Sequence, residues 1–293
     1  DRAFAGEARK AGMEGRDRAR AMRLAYGAVQ RQRTLDWLID NALDRPAALE
    51  PAVRDILRLG AYELLFSDGV PARATVDQAV RQARSQRGSG PRASARAGLV
   101  NAVLRRIDRE GAARLAELEG AGPNVAGLRH SLPDWIAERL ISSLGEADAL
   151  GVMAAANESA ESALRWNPLR GPRATLEALL PPGWSRDTEL APQAYLPAAG
   201  FALEERGVGG RGLGMARSRA SQLGAHVRDP RPGERIIDLT AAPGAKTTHL
   251  AALAHGGARI TAVELHESRA RALRETCRRI GARGGGLAGD ARE

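Results

Sequence analysis

The residues best suited to chemistry lie in the last quarter of the chain. Ile236-Ile237-Asp238 places an acid after two β-branched residues. The run Thr240, Ala241, Ala242, Pro243, Gly244, Ala245, Lys246 is short and built of small side chains, and Thr247 to Ala254 reads as a helix. Strand, small-residue loop and helix form the first unit of a doubly wound nucleotide-binding sheet. There the loop backbone approaches the ligand and the helix N-terminus offers unpaired N–H groups. After the Gly256-Gly257 turn, Arg259 to Val263 reads as a second strand. Glu264 ends it twenty residues after Gly244, where an acid typically binds ribose hydroxyls. Ser268 to Ile280 reads as a second helix closed by Gly281. Leu287-Ala288-Gly289-Asp290 reads as a third strand with another acid at its end.

Several ligands suit such a unit. A phosphate-binding loop needs Gly-x-x-x-x-Gly-Lys-Thr, and Thr240 and Ala245 stand at its two glycine positions despite the Lys246-Thr247 ending. A dinucleotide fingerprint needs three glycines, and only Gly244 is present. S-adenosylmethionine, which has no pyrophosphate to cradle, fits the loop. An ordinary βα turn is the bland alternative.

The segment Asp238-Leu239-Thr240-Ala241-Ala242-Pro243-Gly244-Ala245-Lys246-Thr247-Thr248-His249-Leu250 resembles the signature of the RNA 5-methylcytosine methyltransferases, most of all the RsmB (Sun, Fmu) ribosomal RNA subfamily. That family has Cys at Thr240 and Gly at Ala245. The resemblance implies that Asp238 and the loop Thr240, Ala241, Ala242, Pro243, Gly244, Ala245 and Lys246 hold the methionine part of S-adenosylmethionine. It places Glu264 on the ribose hydroxyls and Asp290 near the adenine.

The 293 residues carry a net charge of +9 and a pI near 10.8, a balance that suits a polyanionic partner. The excess sits at the two ends of the chain. Lys10 and Lys246 are the only lysines, so Lys246 is not background. A single cysteine, Cys277, excludes an internal disulfide framework. No secretory signal or membrane-spanning run is visible. We expect a cytoplasmic monomer without a metal site, since the histidines show no ligand spacing.

Residues 1–127 read as an all-helical bundle. Met22, Tyr26 and Val29 recur at helical spacing, Leu35 to Leu43 follow, Ile56 to Phe66 are strongly apolar, and Leu99 to Ile107 share one face. Arg81, Arg84, Arg87, Arg92, Arg96, Arg105, Arg106 and Arg109 share their interval with one acid, Asp108. Such a cluster is either a solvated face or a track for RNA phosphates, and we expect the latter. Arg58-Leu59-Gly60-Ala61-Tyr62-Glu63-Leu64-Leu65 and Gly98 to Arg106 resemble the NusB-type RNA-binding domain, which RsmB enzymes carry at the N-terminus. Asn101 reads there as a structural hydrogen-bonding residue.

Gly120 to Gly127 reads as a linker. Pro133 starts a helix running to about Leu144, with Trp135, Ile136, Leu140 and Leu144 on its buried face. Ala163 to Asn167 reads as a strand, Thr175 to Leu180 as a helix, and weak strands fall near Ala194–Leu196 and Phe201–Leu203. This small α+β segment, 128–220, resembles the family's RNA-recognition-like insert. The glycines from 207 to 214 read as a flexible joint. Arg217-Ser218-Arg219-Ala220-Ser221-Gln222 departs from the family's Gln-Asp-Glu-Ala-Ser-Gln, which implies a changed local contact. Residues 221–293 read as the incomplete start of an α/β Rossmann-like methyltransferase domain.

The function so implied is S-adenosylmethionine-dependent methylation of cytosine C5 in small-subunit ribosomal RNA. The competing class is a non-enzymatic RNA-binding or antitermination factor of NusB type with a vestigial cofactor fold. C5 of cytosine is a weak nucleophile, so the chemistry needs a thiolate on C6 and a base for the C5 proton. The resemblance puts the catalytic cysteines after the third strand, which leads us to expect them beyond residue 293. Cys277, mid-helix, reads as a small buried hydrophobe, although Arg274, Arg278 and Arg279 flank it and could lower its pKa.

Overall fold

Proline and glycine fix where the first long helices begin. The computed structural model describes residues 2–86, 90–120, 122–158, 161–197 and 207–290. Its first compact unit is residues 1–158. Helices α1 (Arg2–Lys10), α2 (Gly15–Gln30) and α3 (Gln32–Asn41) lead to α4 (Pro51–Phe66), α5 (Ala72–Ser85) and α6 (Pro91–Ala116). Pro51 and Pro91 occupy first turns, where a missing N–H costs nothing, and Gly90 caps α6 at φ 76°. The apolar stripes then meet. Leu35 and Ile39 of α3, Ile56 and Leu57 of α4, and Val100, Leu104 and Ile107 of α6 form one core. Gly60 lets α4 and α6 close, since a Cβ there would lie 2.7 Å from Leu104 Cδ1. At the rim Asp36 takes both Arg58 Nε (2.8 Å) and Arg58 Nη2 (2.7 Å).

The bundle continues past the expected boundary at residue 127. The Gly120–Gly127 stretch is not a linker throughout: Pro123 opens α7 (Pro123–His130), followed by α8 (Asp134–Leu144) and α9 (Glu146–Ala155). Thr34 Oγ1 donates to Leu128 O at 2.6 Å, and Arg33 reaches the Leu132 carbonyl and Asp134. Gly127 serves this close approach, because a Cβ would fall 2.5 Å from Arg33 Nη1. Two apolar expectations fail on face. Trp135 is 69% exposed and Leu144 46%, while Ala137 is the buried residue of α8, packed with Ala126, Ala149 and Met153. On α2, Met22, Tyr26 and Val29 also point outward, and Ala28 enters the core. Chain spacing gives a helix its stripe, but the neighbours decide which stripe is covered.

The second compact unit is residues 159–293. Strands β1 (Leu164–Trp166), β2 (Ser185–Arg186), β3 (Ala194–Leu196) and β4 (Gly214–Ala216) pair antiparallel in the order β2-β3-β1-β4, with α10 (Arg173–Glu177) between β1 and β2. The strand expected at 201–203 lies outside the described residues. Helix α11 (Arg219–Arg228) is capped by Ser218, whose side chain accepts from Ser221 N. Then β5 (Arg235–Asp238), α12 (Ala245–Leu253), β6 (Arg259–Glu264), α13 (Glu267–Ile280) and β7 (Gly284–Ala288) alternate, and the three strands pair parallel in the order β5-β6-β7.

The two sheets belong to one body. Buried Asn167 donates from Nδ2 to Gly212 O and to Ile280 O, each at 2.8 Å. The glycines expected to form a flexible joint include Gly212, at φ 69°, where a Cβ would sit 2.2 Å from Arg279 O. It marks a tight contact with α13 instead. Arg219, the departure from the acidic family form, pairs with Glu161 at 2.6 Å and Asp187 at 3.7 Å.

Candidate functional site

The candidate site is the carboxyl edge of β5 and β6 with the loop into α12. Asp238 ends β5, and its Oδ2 accepts from Thr247 Oγ1 at 2.7 Å. This bond ties the strand end to the first turn of α12. Gly244 caps that helix in the left-handed region at φ 101°, with no side-chain cap bond. Only glycine takes such a φ without strain, and a Cβ there would also fall 2.9 Å from Leu273 Cδ1. The loop folds on itself through Gly244 N to Ala241 O at 2.7 Å and is held to β6 by Ala241 N to Val263 O at 3.0 Å. The Ala242–Pro243 peptide is cis.

The small residues of the loop serve packing as much as ligand approach. Ala241 and Ala242 are buried with Ala262, Leu273 and Cys277, whereas Thr240 and Ala245 do not belong to that cluster. Lys246, in the first turn of α12, makes no ion pair among the described residues. It lines a cavity of about 320 Å³ with Asp238, Leu239, Ile236, Ala225 and Arg228. Glu264 ends β6, 5% exposed. Its Oε1 accepts from His266 N at 3.3 Å, and its Oε2 lies 3.5 Å from Arg269 Nη2. Asp290 stands two residues beyond β7, which ends at Ala288. Asp238, the loop and Glu264 are therefore brought to one sheet edge through the β5–β6 pairing. Sequence spacing did not single out Arg269. It donates to Ala242 O at 3.1 Å and so touches both the loop and the acid.

Behind the loop, α12 faces a buried basic group. Arg165, wholly buried, donates from Nη2 to Thr248 Oγ1 at 3.2 Å. Burial, then the charge of Arg217, pulls its pKa down to about 9. His249, also wholly buried, shares Nε2 with Gln193 Oε1 at 3.0 Å, and its ring meets that of His226 edge-on at 5.0 Å. Burial first, then Arg165, His226 and Arg217, holds the His249 pKa down at about 2. Cys277 is buried in α13, and burial, with Asp238 adding, pushes its thiol pKa up. The flanking arginines do not activate it: Arg274 binds Glu267, and Arg279 donates to Gly209 O.

The arginine cluster of the first unit divides. Arg81 and Arg84 on α5 and Arg92 and Arg105 on α6 are exposed, and Arg105 Nε donates to Asn101 Oδ1 at 3.0 Å. Arg96 is largely covered and lies 3.7 Å from Glu50. Arg106 pairs with Glu110 at 3.1 Å, and Arg109 reaches the same acid at 3.9 Å. Glu50 and Glu110 lie outside the stretch 81–109, so the pairing of these arginines is not visible within it. Arg87 lies outside the described residues. No group of three or more potential metal ligands occurs among the described residues.

Two family models match. Residues 1–109 match the NusB family, and residues 225–293 match the 16S rRNA methyltransferase RsmB/F family. The chain is thus similar to the NusB family over its first helices and to the RsmB/F methyltransferases over its parallel strands. Among relatives, the "Probable ribosomal RNA small subunit methyltransferase B" of Synechocystis sp. is 33% identical over 90% of this chain and 59% of its own length. The ribosomal RNA small subunit methyltransferase B of Thermus thermophilus is 36% identical over 91% of this chain and 56% of its own length. The chain spans well under two thirds of both relatives. A crystal structure titled PH0851 shares the fold with a TM-score of 0.70 at 23% identity, covering 98% of this chain and 64% of that one. A methyltransferase homolog protein from Pyrococcus horikoshii aligns with a TM-score of 0.51 at 23% identity, covering 58% and 57%.

Proposed function

We propose that the chain belongs to an enzyme that uses S-adenosylmethionine to methylate cytosine C5 in small-subunit ribosomal RNA. The observation that carries this reading is the uncapped start of α12 at Gly244, set beside Asp238 and Glu264 on one parallel sheet edge. The residues fit the cofactor. The first-turn N–H groups of α12 and Lys246 suit a carboxylate, and Glu264 offers two acceptor oxygens to a ribose diol. The bound cofactor supplies a methyl group on a sulfonium. Thr247 fixes Asp238, and the loop Thr240, Ala241, Ala242, Pro243, Gly244, Ala245 and Lys246 would hold the methionine part. Glu264 would orient the ribose, and Asp290 would lie near the adenine. Cys277 has no part in attack on the base, because it is buried and its thiol is disfavoured as thiolate.

In this reading the parallel strands β5 to β7 open a Rossmann-like domain, and the antiparallel sheet β1 to β4 is an RNA-recognition-like insert. The exposed Arg81, Arg84, Arg92 and Arg105, with Arg87, track RNA phosphates. Arg96 and Arg106 support that surface through their acids. The protein acts as a cytoplasmic monomer.

Calorimetric titration with S-adenosylhomocysteine, NAD and ATP tests the reading. S-adenosylhomocysteine binds in preference, and Glu264→Ala weakens it by ~1–3 kcal/mol through lost charge-assisted hydrogen bonds. Tighter binding of ATP would refute it. RNA binding with no affinity for any adenosyl ligand would favour a NusB-type binding factor instead.

A further inference from the structure

We propose that Arg269 is a positioning residue for cofactor binding, one that holds Glu264 and the Thr240–Lys246 loop in the single arrangement that accepts a ribose diol. The proposal rests on the cofactor reading above. Arg269 lies in the first turn of α13, directly after the β6 strand end. One atom of its guanidinium, Nη2, donates to Ala242 O at 3.1 Å and stands 3.5 Å from Glu264 Oε2. The loop and the acid come from different strand–helix units, and the Arg269 side chain touches both.

The rest of Glu264 is fixed from the other side. Its Oε1 accepts from His266 N, its backbone carbonyl accepts from Gly289 N at 3.1 Å, and its side chain is 6% exposed. Each carboxylate oxygen accepts two hydrogen bonds, so His266 and Arg269 pin the group without using up its capacity. Oxygen lone pairs remain for two hydroxyls. The Arg269 side chain is 47% exposed, so replacing it opens no core cavity. Arginine suits the task because Nη2 carries two N–H donors in a rigid plane and can face a carbonyl and a carboxylate together, whereas lysine brings a flexible point charge.

The test compares two ligands on the full chain by calorimetry: S-adenosylhomocysteine and its 2′-deoxyadenosyl counterpart. The wild-type protein prefers the ribose form by about tenfold, roughly the worth of one hydrogen bond to a charged group. Arg269→Gln shrinks that preference to about threefold or less, as the acid loses its fixed orientation, while the deoxy ligand binds almost as before. Arg269→Lys restores part of the preference, and melting temperatures stay unchanged. A merely structural role would weaken both ligands alike. Equal loss on both ligands, or the full preference retained in both Arg269 variants, overturns the proposal. If Glu264→Ala abolishes the preference and the Arg269 variants keep it, this proposal alone fails. If the wild-type protein binds neither ligand, the cofactor reading falls and takes the proposal with it.

Discussion

Lowering the pH should loosen the second unit through His249 in particular. The side chain is wholly buried in α12, bonded to Gln193 and surrounded by Arg165, Arg217 and His226, with its pKa held down at about 2. Unfolding releases it to an ordinary value near 6.5. Below pH 6.5 the unfolded chain takes up a proton that the folded chain refuses, so stability falls as pH falls and continues to fall until the folded value is reached. Between pH 7.5 and pH 5.0 the two values give a loss of about 2 kcal/mol from this residue. His226, also depressed by burial and by Arg165, adds a loss of the same sign. The comparison is between the wild-type chain and His249→Gln, which retains an amide to meet Gln193. Hydrogen exchange of α12 peptides across a urea series, corrected for the intrinsic effect of pH on exchange, reads the local stability of this unit. The wild-type protein should lose about 2 kcal/mol more than the variant over this interval. Equal losses in both proteins would show that His249 takes up its proton in the folded state, and would refute a neutral, desolvated imidazole.

Gly60→Ala places a methyl 2.7 Å from Leu104 Cδ1, and Leu104 is wholly buried in that core. Overpacking outweighs the gain in helix propensity, and urea denaturation of the first unit should show a net loss of ~1–2 kcal/mol. Thr247→Val removes the 2.7 Å bond to Asp238 and should weaken S-adenosylhomocysteine about threefold to tenfold in calorimetry, by loosening the α12 start. Charge reversal of Arg84 and Arg92 to Glu should weaken RNA binding and flatten its salt dependence. By contrast Arg96→Ala should chiefly lower the stability of the first unit, since Arg96 is covered and faces Glu50. An unchanged salt slope in the reversed variant would make the arginines a solvated face.

What the sequence determined by itself is local. The β-branched lead into Asp238, the Pro-Gly loop and the acid at the end of the next strand fix a strand–loop–helix–strand order, because each signal acts within a few residues of chain. The helical order of the N-terminal half was legible for the same reason, from apolar period and from prolines in first turns. The tertiary structure decided which faces are buried. Trp135 and Val29 carry the apolar spacing of a core and stand exposed, because among the described residues their helices pack through other faces, at Ala137 and Ala28. It also decided what small residues are for: Gly127 and Gly212 read as flexible chain, yet each lies where a Cβ would meet a neighbour, Arg33 or Arg279. Charge partners were hidden likewise. Glu50 and Glu110 balance Arg96 and Arg106 from outside the stretch 81–109. Arg269 gains its meaning only when α13 folds back beside the Ala242 carbonyl, twenty-seven residues away along the chain. Periodicity is a property of one segment, whereas burial and pairing belong to two, and so the second kind of fact waited for the fold.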